Sequence, residues 1–210
     1  MEPEARNDPK KVINSMMGFG SKSITLLLVF FALGFFLKAD ESTEQHYFPV
    51  YLDYLEGEGL EKQNDFVGAL VEFKSALLWL QKIHERDVQW EQTLVLKKIQ
   101  DCQEQIANLE PLALKQVRGR LKNSQPTPAQ MSGLFDEAAS LEGSQMYGGA
   151  IDKLVTYVTT VGLLRQAESQ WDTPAIAEKC KQAQAAIDRL LSLEIEMLLK
   201  SERGDGGAVQ

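Results

Sequence analysis

The sequence predicts an all-α protein: two duplicated helical units of about three helices each, following one N-terminal transmembrane helix. Three observations carry this. Apolar residues recur at helical period along most of the chain, as at 66, 69, 70, 73, 76, 77, 80 and 83. Residues 54 to 109 align without a gap on residues 135 to 190, a shift of 81. Finally, Ser23 to Leu37 reads SITLLLVFFALGFFL without a charge, between Lys22 and Lys38.

The N-terminal run comes first. A membrane span needs about 20 residues, and Met16 to Leu37 reaches that length if Lys22 extends its ammonium toward the headgroups. A buried globular helix is disfavoured, because the run has no polar face for a soluble surface and too many aromatic and branched residues in succession. A cleavable signal peptide is the rival reading. Against it, the small residue at a cleavage position is Ala39, with Leu37 two places before it, a poor small-x-small match. Arg6, Lys10, Lys11 and Lys22 precede the run, and Asp40, Glu41 and Glu44 follow Lys38. The positive-inside rule therefore puts the N-terminus in the cytoplasm and the main domain on the periplasmic or other extracytoplasmic side. The expected organisation is an N-terminal tail over 1–15, a membrane anchor over 16–38, helical units over 49–123 and 127–201, and a disordered tail over 202–210.

Identity supports the duplication over its whole length. Leu60 meets Leu141, Gly68-Ala69 meets Gly149-Ala150, Gln89-Trp90 meets Gln170-Trp171, Lys98 meets Lys179, and Ile106 and Leu109 meet Ile187 and Leu190. In the first unit, the pattern predicts helices over Val50–Gln63 and Phe66–Glu85, then a third after the N-cap residue Asp87 until Pro111 interrupts it. Leu112 to Lys122 reads as a separate short amphipathic helix with Lys115, Arg118, Arg120 and Lys122 outward, and Asn123 to Thr127 as a linker or hinge. In the second unit, Thr127-Pro128-Ala129-Gln130 is a capping box with Pro at the first helical position, and Thr173-Pro174 opens the last helix similarly. Trp90 and Trp171 each stand where a third helix opens, and read as packing residues.

Gly57, Leu60, Phe66, Ala69, Phe73 and Ala76-Leu77 are spaced as in the tetratricopeptide repeat, which this stretch resembles. In that family two antiparallel helices cross on small residues, with aromatics filling the gaps. Ala138, Leu141, Tyr147 and Ala150 match in the second unit, whereas Leu154 stands where an aromatic is expected and Tyr157 where a small residue is. Asn64 and Gln145 replace the usual turn glycine. The resemblance covers about 50–83 and 131–164 and implies a partner-binding groove on the first helix of each unit. By position that groove comprises Tyr51, Tyr54, Glu58, Glu61 and Lys62, with Ser132, Phe135, Ala139 and Glu142. The alternative for Tyr54 and Phe135 is core packing. The Lys and Asn by which some members clamp a terminal carboxylate are replaced by Tyr54 and Glu58.

Other function classes find less support. A formal net charge of -8 does not suit a chain that neutralises phosphates, so nucleic acid is not an expected partner. His46 and His84 lack metal-ligand spacing and read as surface residues, and no nucleophile elbow or phosphate loop occurs. No enzyme activity, metal or cofactor is expected. Cys102 and Cys180 fall on apolar stripes, where a thiol behaves as a small hydrophobe. The expected function is a membrane-anchored scaffold or adaptor that binds another protein, itself membrane-associated. The alternatives are a structural subunit of a permanent membrane-associated complex, or an exported soluble binding protein after signal cleavage.

Overall fold

The computed structural model describes residues 41–86, 91–123 and 126–204. They form six α-helices and one short 3-10 turn, and no strand occurs among the described residues. In chain order the helices are α1 (Glu41–Lys62), α2 (Phe66–Arg86), α3 (Gln92–Leu121), α4 (Pro128–Gly143), α5 (Tyr147–Ala167) and α6 (Pro174–Gly204), with the 3-10 turn at Ser169–Trp171 before α6. The protein is thus all-α over these residues. The segments expected as a tail (1–15) and an anchor (16–38) lie outside them, as do Asp87 and Trp90. Among the described residues no helix is long and apolar enough to cross a membrane.

Local chemistry sets the helix ends. The α1–α2 turn closes with Asn64 at φ 60°, with Asp65 N–H donating to Leu60 O at 2.9 Å and Asn64 N–H to Glu61 O at 2.9 Å. This is a Schellman-type closure, which satisfies carbonyls that the helix end would otherwise orphan. The α4–α5 turn is built identically: Gln145 stands at φ 61°, and Met146 N–H reaches Leu141 O and Gln145 N–H reaches Glu142 O, both at 2.9 Å. Asn and Gln thus fill the left-handed position where glycine costs least. At the start of α4, Thr127 Oγ1 accepts from Gln130 N–H at 3.2 Å and Thr127 N–H donates to Gln130 Oε1 at 2.8 Å, a complete capping box. Thr173 Oγ1 caps α6 by accepting from Ile176 N–H at 3.3 Å.

Four boundaries differ from the sequence pattern. Helix α3 opens at Gln92 with Glu91 at its N-cap, later than the start after Asp87 that the pattern predicts. Helix α1 begins at Glu41, ahead of Val50. Pro111 does not stop α3, which runs unbroken from Gln92 to Leu121. Proline removes the bond to the carbonyl four residues back; here Ala107 and Pro111 are both exposed, so that carbonyl is near water, while buried Leu109, Ala113, Val117 and Leu121 hold the helix on both sides. Helix α6 continues to Gly204, into the segment expected to be a disordered tail.

The described residues from Ser42 onward form one compact unit. Helix α5 is at its centre, packed on α2, α3, α4 and α6, and α2 also touches α6. The core comprises Leu70, Phe73, Leu80, Cys102, Leu109, Ile151, Leu164 and Leu190, among others. Polar ties join the first three helices to the last three: Lys82 Nζ to Asp188 Oδ1 at 2.8 Å, Arg86 to Ser192 O at 3.3 Å and Arg118 to Gln166 O at 3.4 Å. Trp171 is buried in the 3-10 turn, one step before α6, where it packs against the core. His84 is half-buried, not on the surface: it continues the stripe Phe73, Leu77, Leu80, and its Nδ1 is buried without a hydrogen-bond partner among the described residues.

Candidate partner-binding face

Helices α1 and α3 lie side by side and parallel. Lys98 Nζ sits 4.0 Å above the Tyr54 ring, and further along both helices Gln116 Nε2 donates to Asn64 O at 2.9 Å. A cation over an aromatic face is attracted by the ring quadrupole. Asp101 also holds Lys98, at 3.5 Å. Helices α4 and α6 meet in the same way: Lys179, which is 81 residues after Lys98, donates to Ser132 Oγ at 2.9 Å, and Arg189 grips Glu142 through two bonds of 2.7 and 2.9 Å. In each half the first helix therefore borders the third along a solvent-facing seam.

The residues proposed from sequence fall on or beside these seams. Tyr54 is half-buried, with its ring edge-on to Phe73 at 5.3 Å. Phe135 is half-buried and edge-on to Tyr157 at 5.1 Å. Both belong to the apolar cluster, so each shares in the core as well as bordering the surface. Tyr51 and Glu61 are half-buried, Ala139 is exposed, and Lys62 pairs loosely with Glu58 at 3.9 Å, a contact of small energetic value at the surface. Burial raises the Tyr54 hydroxyl above its ordinary range, helped by the Glu58 and Asp101 charges. Arg189 pulls the Glu142 carboxyl below its ordinary range by hydrogen bonding.

No family model matches the chain, and neither a curated protein nor a solved structure matches it. Geometry therefore carries the functional argument.

Two other features lie off the seams. A groove of about 490 Å³ between α2, α5 and α6 has Leu77, Val155, Val158 and Ile187 on its floor and Lys74, Lys82, Glu85 and Asp188 around it. Lys82 is committed there to Asp188 and, at 3.3 Å, to Glu85. The basic residues of 112–122 prove to be the last turns of α3. Arg120 pairs with Asp65 at 3.3 Å and Arg118 binds Gln166 O, so half of that cluster serves the fold.

Among the described residues no group of His, Cys, Asp and Glu could hold a metal ion. Cys102 and Cys180 are free thiols, and burial pushes Cys102 up to about 11. Sequence reading missed Lys98 and Lys179 as the bridges between first and third helices. Their identity at a spacing of 81 was the available signal.

Proposed function

We propose that this chain is a membrane-anchored, tetratricopeptide-like adaptor that binds another protein through the seams between the first and third helices of its two duplicated units. The single observation that carries this reading is the repeated seam itself, with Lys98 over Tyr54 in one half and Lys179 on Ser132 in the other. Such a seam holds aromatic side chains at low rotamer cost beside a polar rim, the composition that suits protein recognition. The matching turns at Asn64 and Gln145 support the duplication. Buried Ala69, Ala76, Ala138 and Ala150 support the family likeness, because small residues let helices cross closely.

The uncharged run at 16–37 and the basic residues before it support an anchor with the domain on the extracytoplasmic side. Confinement to one membrane raises the effective concentration of a membrane-associated partner, so a modest interface suffices.

The test has two parts. Alkaline carbonate extraction of native membranes should leave the full-length chain in the pellet, and protease added from the extracytoplasmic side should reach the main domain; release into the supernatant would overturn the anchor. Photo-crosslinking residues at positions 54 and 135 should capture the same protein, and one at the exposed Gln103, off the seams, should not. Capture at 103 alone, or at none of the three, would overturn the seam reading and favour a structural subunit.

A further inference from the structure

We infer that the partner's apolar anchor seats in the first half, along the α1–α3 seam, and that this docking segment is an amphipathic helix with an apolar stripe flanked by Lys and Arg. This rests on the adaptor reading above and assigns its surface and partner chemistry.

The first half exposes large apolar side chains beside the seam: Leu52 at 45%, Leu55 at 43% and Leu94 at 41%. At about 100° per residue, Tyr51 and Leu55 fall on the flank of α1 turned toward α3. Leu94 falls one turn before Lys98 on the flank of α3 turned toward α1, and Leu52 lies one turn from Leu55 on the outer side. The second half offers an internal comparison. Residues 81 places after Tyr51, Leu52, Leu55 and Leu94 are Ser132, Gly133, Asp136 and Ala175. The same seam is thus built there without one large aliphatic side chain at these positions, so folding does not require the leucines. Left in water they forgo their transfer free energy; a partner that covers them recovers it.

Charge selects the occupant. Around Leu52 and Leu55, α1 carries Glu56, Glu58 and Glu61 against Lys62, which already pairs with Glu58; on the α3 side Lys98 is held by Asp101 and Lys97 is exposed, so the acidic groups still outnumber the basic ones, in a chain of net charge -8. A second copy would bring acidic faces together, and an anionic lipid surface would be repelled. A partner segment with a basic rim gains on both counts, and an amphipathic helix laid between two helices is an established recognition mode.

The probe is a labelled helical peptide with a leucine stripe and lysine flanks, titrated by fluorescence anisotropy onto the full-length chain in phosphatidylcholine nanodiscs, with empty discs as the blank. Saturable binding at one site per chain is expected, weaker for the same peptide with glutamate flanks. L55D with L94A copies the second half at exposed positions, and should weaken binding by about tenfold or more, the loss typical of removing apolar anchors. The converse pair, D136L with A175L, should create a second site.

Unchanged affinity in L55D/L94A, or equal binding of the two peptides, would overturn the inference. So would self-association in sedimentation, or binding to protein-free anionic vesicles, if L55D/L94A abolished it; these would reassign the face to a second copy or to lipid. Failure of the peptide with continued capture at 54 and 135 removes only this inference; loss of capture as well removes the adaptor reading.

Discussion

Ser75 has one hydroxyl proton and two carboxylates beside it. Its Oγ lies 3.1 Å from Asp53 Oδ2 and 3.5 Å from Asp152 Oδ1, and the side chain is buried. With both carboxylates ionised, at most one receives that proton; with one protonated, its O–H can donate to Ser75 and both contacts are satisfied. Burial, and then the Asp152 charge, push Asp53 up to about 6. Burial, and then the Asp53 and Glu56 charges, push Glu72 up to about 7. The nearby cation, Lys153, is shared with Glu137 at 2.7 Å. Carboxyls whose folded pKa is raised bind protons more tightly folded than unfolded, so stability is lost as pH rises through about 6 to 7. The Glu142–Arg189 pair acts in the opposite sense, with its stabilisation lost only in stronger acid. The melting temperature should therefore be higher at pH 5 than at pH 8, by about 5 °C for a difference on the order of 2 kcal/mol. Asp152→Asn should stabilise the protein at pH 8 and flatten the slope, as read by circular dichroism. A lower melting temperature at pH 5 would contradict this account.

At the scale of helices, the two halves solve one packing problem in different ways. Gly57 would place an added Cβ 3.1 Å from the Phe73 ring, which has no exposure and carries Tyr54 edge-on. In the second half the corresponding positions are Ala138 and Leu154, and the bulk has moved one turn along, to Tyr157 where the first half has Ala76. Leu154 is narrower than the ring it replaces and leaves room for the Ala138 methyl, while the ring itself is supplied one turn on by Tyr157. Gly57→Ala should therefore be destabilising by about 1 kcal/mol, because overpacking against a ring that cannot move outweighs the gain in helix propensity. Gly59→Ala, on the same helix with nothing within 4 Å of its added Cβ, should instead stabilise by up to about 1 kcal/mol. Urea denaturation of both variants measures the contrast, and equal effects would refute the packing argument.

The same comparison separates what was legible in the sequence from what was not. Stripes such as 66, 69, 70 and 73 follow from burial on one helix face, and the caps at Thr127 and Thr173 from local hydrogen bonding, so both could be read directly. The passage of α3 through Pro111 could not, since it depends on which side of the helix faces water. His84 was misjudged by residue type although its spacing from Phe73 and Leu80 placed it inward. For the candidate face, the first-helix residues could be named, but the third helix beside them could not, because adjacency of α1 and α3 is tertiary.

On the scale of the whole molecule, α5 decides whether the halves act together. It packs on α2 and α3 of the first half as well as on α4 and α6 of its own. The buried Ser75 hydroxyl, the Lys82–Asp188 pair and the Arg118 contact then cross between the halves. Opening the segment 123–127 as a hinge would have to expose part of this interface. Such an opening costs free energy in proportion to the apolar surface released, so the halves should unfold as one cooperative unit. Trp79 reports on the first half and Trp171 on the second, both buried. In full-length variants that keep only one tryptophan, the other two replaced by Phe, the fluorescence midpoint in urea should coincide with that variant's own circular-dichroism midpoint. Using each variant as its own reference removes the destabilisation that the Phe substitutions cause. If instead the Trp79 and Trp171 midpoints fall on opposite sides of their respective dichroism midpoints, the halves unfold separately.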